Sequence, residues 1–146
     1  MSSNAAEIAT RWFLEVWNER AVHLIPELMS EDAIGHLEGG QVVRGHGDFR
    51  AFQSAILDLL PDMKVEVLRC IADGEDTCVL WEASGNHTGS GLGFAPTQRT
   101  VQFRGTTWFR VVDGRIVEGW DSWNQGGLFA TLASGPIANE GTAETL

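Results

Sequence analysis

Tyrosine is absent from the 146 residues, lysine occurs once, as Lys64, and cysteine twice. Two cysteines make neither a disulfide framework nor a cysteine-rich metal site, and the histidines show no metal spacing with the acids. Cys70 and Cys78 flank an expected turn at Asp73-Gly74, which places them near each other on paired strands. They read as small buried thiols in a reducing, cytoplasmic setting. No apolar run approaches the roughly 20 residues of a membrane span. The N-terminal MSSNAAEIATRWF lacks the basic patch and apolar core of a signal peptide. Positive charge is scarce: 10 basic residues stand against 20 acidic ones, a net charge of −10. Such a chain repels phosphate backbones and anionic lipids, which argues against nucleic-acid and membrane partners.

What remains is an ordinary globular mixture, 43% hydrophobic and 21% charged, of a length that suits one domain. Aromatic residues are the exception: six tryptophans and seven phenylalanines either fill the core or line a cavity.

The spacing of Ile8, Trp12, Phe13, Val16 and Trp17 predicts a helix over Asn4–Asn18, with Ser3 or Asn4 as its cap. A short helix is expected over Ala21–Met29, limited by Pro26, and short strands over Ala33–His36 and Gln41–Arg44 around a Glu38-Gly39-Gly40 turn. Phe49, Phe52, Ile56 and Leu59/Leu60 mark a third helix over His46–Leu60, which Pro61 ends. Two hairpins follow: Met63–Ala72 with Thr77–Asn86 around Asp73-Gly74, and Arg99–Val112 with Arg115–Asn124 around Asp113-Gly114. Between them Gly85–Pro96 carries four glycines and a proline, a composition that predicts a mobile lid. It lacks the lysine and following helix of a phosphate loop. One helical turn is expected over Gly126–Leu132. Helices followed by antiparallel hairpins make an α+β fold, a curved sheet wrapped on helices around a pocket. A single domain over residues 1–132 and a flexible tail over 133–146 are expected.

Several stretches resemble a known family. These are EVWNER at 15–20, PELMSEDAIGH at 26–36, the phenylalanines and LPDM of the third helix, SGNHTGSGLGFAPTQR at 84–99, and FRVVDGRIVEGWDSWNQGGLFATL at 109–132. In this order they resemble the SnoaL-like polyketide cyclases of the NTF2-like, ketosteroid-isomerase-like superfamily. The resemblance implies an α+β cone around an apolar pocket, dimeric through the outer sheet face. It also implies an intramolecular aldol closure of a polyketide ester without metal or organic cofactor. The family's acid/base aspartate falls on Asp121. Asn124 stands where a second acid often occurs, and Thr107 where the family has a histidine.

Asp121 is also the first candidate on physical grounds. It lies in GWDSW, between Trp120 and Trp123, where loss of hydration raises a carboxyl pKa toward neutrality; the alternative is a strand-end aspartate facing water or an arginine. His87, at the mouth of the glycine-rich loop, is the second catalytic candidate, as a donor to a developing enolate, or it caps a turn. His36 is a candidate to bond substrate or to cap the sheet edge. Phe52, Trp81, Phe94 and Trp123 are candidate pocket walls, with Thr107 and Asn124 as further substrate contacts; Asn124 alternatively ends its strand. His23 and His46 read as solvated or structural.

Register decides which face Asp121 occupies. A two-residue turn at Asp113-Gly114 sets Asp121 opposite Thr106, beside Arg104, Trp108 and Arg110. A three-residue loop with a glycine bulge sets it opposite Gly105, beside Phe103, Thr107 and Phe109. The second is preferred because it leaves Arg104, Arg110 and Glu118 outside, where charges pair in water. Trp108, Trp120 and Ile116 on that outer face then predict a homodimer.

The leading functional reading is a cofactor-independent cyclase for a hydrophobic polyketide-type substrate, with Asp121 as acid/base. The alternatives are a pericyclic closure driven by substrate folding, an isomerase or epoxide hydrolase on the same fold, and a non-catalytic binding module. Asn124 in place of a second acid argues against the Asp–Arg–Asp set of an epoxide hydrolase.

Overall fold

The computed structural model describes residues 5–136 and 143–145. In chain order it contains α1 (Ala5–Arg11), a π-helical continuation (Trp12–Asn18), a 3-10 turn (Val22–Leu24), α2 (Ile25–Leu28), β1 (Met29–His36), β2 (Val42–Arg44) and α3 (Gly45–Leu59). There follow β3 (Lys64–Asp73), β4 (Asp76–Asn86), a 3-10 turn (Gly91–Gly93), β5 (Thr100–Val112), β6 (Arg115–Trp123), α4 (Gln125–Ala133) and β7 (Ala143–Thr145). The strands form one sheet in the order β2-β1-β6-β5-β4-β3, with β7 beside the start of β5. Pairing is antiparallel except between β1 and β6 and between β5 and β7. This is the expected α+β cone: a curved sheet whose concave face is closed by helices.

The first helix changes its winding where its side chains become large. Trp12, Phe13, Val16 and Trp17 are all buried, and the wider π turn carries both adjacent pairs inward. The altered ladder frees carbonyls that need partners. Gln53, buried on α3, donates to Val16 O at 2.8 Å. Arg20, at φ 59°, folds its guanidinium back onto Trp17 O and also donates to Pro61 O and Met63 O, each at 3.0 Å. Asn18 exchanges two hydrogen bonds with the Val65 backbone, at 2.8 and 2.7 Å, and so extends the sheet edge with a side chain. The expected cap at Ser3 or Asn4 lies outside the described residues.

Alternation on β4 and β5 is strict. Thr77, Val79, Trp81 and Ala83 face inward against Phe109, Thr107, Gly105 and Phe103. Cys70 pairs with Val79 and Cys78 with Ile71, so the two thiols are adjacent in register but on opposite faces, and both are free. The hairpin turns are tight. Asp113 and Gly114, at φ 52° and 78°, have the positive-φ pair of a type I′ turn, with Val112 opposite Arg115. The first hairpin turns on Gly74-Glu75 rather than Asp73-Gly74, because Asp73 already pairs with Asp76.

The β5–β6 register matches neither expected alternative. Asp121 lies opposite Thr107. The turn itself is the two-residue kind, and the extra residue sits further on: Val111 pairs with Ile116 but Arg110 with Glu118, leaving Val117 as a bulge. That single residue inverts the parity of β6. Ile116 before it and Gly119, Asp121 and Trp123 after it all face the concave side. The face expected for Asp121 is the one it occupies, reached by a different irregularity.

The glycine-rich stretch is also built differently from the expectation. Asn86 still belongs to β4, and pairing continues beyond it through His87 N to Arg99 O at 2.8 Å and Gln98 N to His87 O at 2.9 Å. Gly89 and Gly91 lie against the end of α3. A Cβ on them would stand 1.6 Å from Asp58 O and 2.4 Å from Ala55 O. These glycines are required by close backbone approach, not by conformational freedom. The stretch is docked on α3, and Gly91 opens a 3-10 turn. The single turn expected near the C-terminus is a nine-residue helix, α4. The expected tail falls in part on residues 137–142 and 146, outside the described residues; Ala143–Thr145 pairs in parallel with Thr100–Gln102.

Candidate active site

The helices and the concave face enclose an open-mouthed cavity of about 120 Å³. Trp12, Phe13 and Trp17 from the π segment and Phe52 from α3 form one wall. Trp81, Phe103 and Trp123 form the other, with Trp123 stacked on Phe103 at 5.0 Å and Trp81 edge-on to Phe103 at 6.0 Å. Asp121 is the only carboxylate among the described lining residues, and no lysine or arginine is among them.

Asp121 is held by a chain of donors. Trp81 Nε1 donates to Thr107 Oγ1 at 2.9 Å, and Thr107 Oγ1 donates to Asp121 Oδ1 at 2.8 Å. Gly105 makes this possible, since a Cβ there would stand 2.6 Å from both Trp81 Cζ2 and Trp123 Cβ. Only glycine lets the indole cross the strand to reach Thr107. The cavity gives Asp121 some contact with solvent, yet protein surrounds the carboxyl closely. Burial pushes its pKa from 3.8 up to about 6, opposed by the Thr107 hydrogen bond and reinforced by the charge of Glu38. The sequence reading overlooked Glu38. It follows β1, and its carboxylate accepts from Trp123 N at 3.1 Å and Gly39 N at 3.0 Å.

The remaining candidates divide. Phe52, Trp81, Thr107 and Trp123 line the cavity with Asp121. His36 borders it, but its imidazole stacks on Trp120 at 5.4 Å and meets Glu118 Oε2 at 2.7 Å, on the convex side. Asn124 caps α4 by accepting from Gly127 N at 3.0 Å, the strand-ending role. His87 is fully buried between the loop and the start of β5, away from the cavity lining. Its Nδ1 meets Thr97 Oγ1 at 2.8 Å and accepts from Thr97 N at 3.2 Å, and burial lowers its pKa. Phe94 packs on Phe129 at 5.4 Å and edge-on to His87 at 6.4 Å, outside the lining. His46 bonds Met29 O at 2.7 Å and His23 is exposed, as expected of structural and solvated histidines. No group of three or more metal-ligating side chains occurs among the described residues. No helix among them is long and apolar enough to cross a membrane.

An α+β cone around an aromatic cavity with one carboxylate defines a class: small-molecule pocket proteins of the NTF2-like fold. Within it, the family model for SnoaL-like polyketide cyclase matches residues 7–132, and the chain belongs to that family. Solved structures with the same fold include a candidate SnoaL-like polyketide cyclase from Jannaschia sp. CCS1, at TM-score 0.85 and 21% identity over 92% of this chain and 94% of that one. AclR, a candidate hydroxylase from Streptomyces galilaeus, matches at TM-score 0.78 and 23% identity over 96% and 87%. IdmH, a candidate polyketide cyclase from Streptomyces antibioticus, matches at TM-score 0.77 and 25% identity over 88% and 98%. No curated protein sequence matches the chain.

Proposed function

We propose that the protein is a cofactor-independent cyclase that closes a ring in a polyketide-type intermediate, with Asp121 as its general acid/base. The observation that carries this reading is a single carboxyl at the wall of an otherwise apolar, aromatic cavity, with its pKa raised to about 6. A group poised near neutrality both takes and returns a proton at useful rates. In the proposed reaction the Asp121 carboxylate removes a proton from a carbon beside a carbonyl. The resulting enolate carbon attacks a second carbonyl of the same chain, forming a carbon–carbon bond. The protonated Asp121 then returns its proton to the new alkoxide, so the product is an isomer of the substrate. The aromatic walls hold the chain folded so that the two carbons meet. An enclosed space of about 120 Å³ suits roughly one six-membered ring, and the rest of the ligand extends through the mouth.

The same reading includes a homodimer through the convex face. A registered row crosses the whole sheet there: Val42, His36, Trp120, Trp108, Cys78 and Ile71. Trp108 is 49% and Ile71 71% exposed, an apolar stripe suited to a second copy. Light scattering at micromolar concentration should report twice the mass of 15.9 kDa, and a monomer there contradicts it.

Deleting the gene in its source and identifying the accumulated intermediate supplies the substrate for the decisive assay. The purified protein should convert that compound to a product of equal mass. Asp121→Asn should fold normally and lose on the order of 10² to 10⁴ in rate. Full activity in Asp121→Asn with loss in Trp123→Ala would instead favour a closure driven by shape.

A further inference from the structure

The chain of donors behind Asp121 distinguishes its two oxygens. An indole N–H only donates, so the Trp81–Thr107 contact at 2.9 Å occupies a lone pair of the Thr107 hydroxyl. The hydroxyl's single proton then points to the acceptor 2.8 Å away, Asp121 Oδ1. Trp81 and Thr107 are 7% and 4% exposed, so water does not compete for either bond. Oδ2 has no hydrogen-bond partner among the described residues and is not sealed from solvent, and its residue lines the cavity.

We propose that Trp81 and Thr107 are positioning residues that hold Asp121 Oδ1 as a constant acceptor, so that Oδ2 alone takes up and returns the ligand's proton. This rests on the reading of Asp121 as the acid/base. The arrangement makes the acid directional. A proton placed on Oδ1 would meet the Thr107 hydroxyl's own proton, and the hydroxyl could accept it on its second lone pair only by turning that proton away from Oδ1, the acceptor it has in the structure. On Oδ2 the proton costs no internal bond and faces the cavity. The other titratable groups near this carboxyl are Glu38, from the β1–β2 connection, and His36, on β1, whose ring is turned to Glu118. The π segment and α3 contribute only apolar lining, and β4 contributes Trp81 and Ala83.

The proposal is tested by titration, without a substrate. The side-chain carboxyl carbon of Asp121 is followed by NMR in the parent, Thr107→Val, Thr107→Ser and Trp81→Phe. Thr107→Val removes a hydrogen bond to the charged form and should raise the midpoint by about one pH unit, while Thr107→Ser should leave it near the parent's. Trp81→Phe frees the hydroxyl to rotate and should raise it by a smaller amount. In the parent, the Trp81 indole N–H resonance should move with the same midpoint as Asp121, because the two are joined through one hydroxyl. An unmoved midpoint in Thr107→Val overturns the proposal. So does an indole resonance that stays flat while Asp121 titrates, a result that decides the matter even if Thr107→Val does not fold. Once the substrate is in hand, the acidic limb of kcat/KM should shift in Thr107→Val together with the Asp121 midpoint. If both resonances behave as stated but Asp121→Asn keeps full activity, the relay stands and the acid/base reading fails.

Discussion

His87 is fully buried and Asp121 partly so, and loss of hydration drives each toward its neutral form, the carboxyl upward to about 6 and the imidazole downward. They differ in what lies beside them. Asp121 meets a cavity, with one oxygen bonded and the other without a partner among the described residues. His87 meets Thr97 through Nδ1, while its buried Nε2 has no partner among the described residues and the residue does not line that cavity. A perturbed ionisable group marks a functional site only if a ligand can reach it. Here access, and not burial, separates the carboxyl proposed to exchange protons from a histidine that ties a loop to its strand.

The sharpest contrast should appear in turnover. Asp121→Asn is expected to lose on the order of 10² to 10⁴ in rate, whereas His87→Gln should stay within a few-fold of the parent once soluble protein is compared. A large rate loss in well-folded His87→Gln would erase the distinction. Next in size is Gly89→Ala. Its Cβ cannot fit 1.6 Å from Asp58 O, so the loop must leave α3, at a cost of about 3 kcal/mol or more in urea unfolding. The Asp121 midpoint should stay where it was, because the cavity wall is untouched.

Stability against pH separates the two groups further. The folded chain holds a proton on Asp121 up to about 6 and the unfolded chain only to 3.8, so the folded state binds more protons in that window. Stability therefore falls as pH rises through it, and the ionised group is a constant burden above it. Asp121→Asn should be more stable than the parent at pH 8 by up to about 3 kcal/mol, with the gain gone below pH 4. His87 works in the opposite sense. Its folded pKa lies below the ordinary value of 6.5, so the unfolded state binds more protons as pH drops from there. Stability is fully present above that value and declines on acidification. The smallest predicted effect is the loss of this acid sensitivity in His87→Gln, read as a flatter plot of urea midpoint against pH between 7 and 5.

The fold was largely legible because its strongest signals are local: two aspartate-glycine hairpins, a helix ended by Pro61, and period-two burial along β4 and β5. Asp121 stood out for the same reason, as an acid among tryptophans. The parts that escaped depend on distant pairing. The Trp81–Thr107 bond needs the β4–β5 register, although Gly105 inside an otherwise bulky strand was a visible mark of close approach. Glu38 reaches the site from the far end of β1, which no local pattern announces. Gly89 and Gly91 were misleading because composition does not distinguish a glycine that needs freedom from one that needs room. The seclusion of His87 follows from that same docking.

The bulge at Val117 sets a counting rule for the chain between the turn and Asp121. Residues can be added or removed there in pairs without changing the face from which the aspartate emerges. A change of one sends Asp121 to the convex side while the walls contributed by β4 and β5 stay in place. The number of residues in this stretch is therefore as constrained as the identity of the buried Ile116 within it. A single-codon insertion or deletion in this short stretch would retire the acid with every cavity aromatic of β4 and β5 unsubstituted. Relatives that kept the pocket but lost the chemistry could arise in that one step, and aligned letters alone would still show the aspartate.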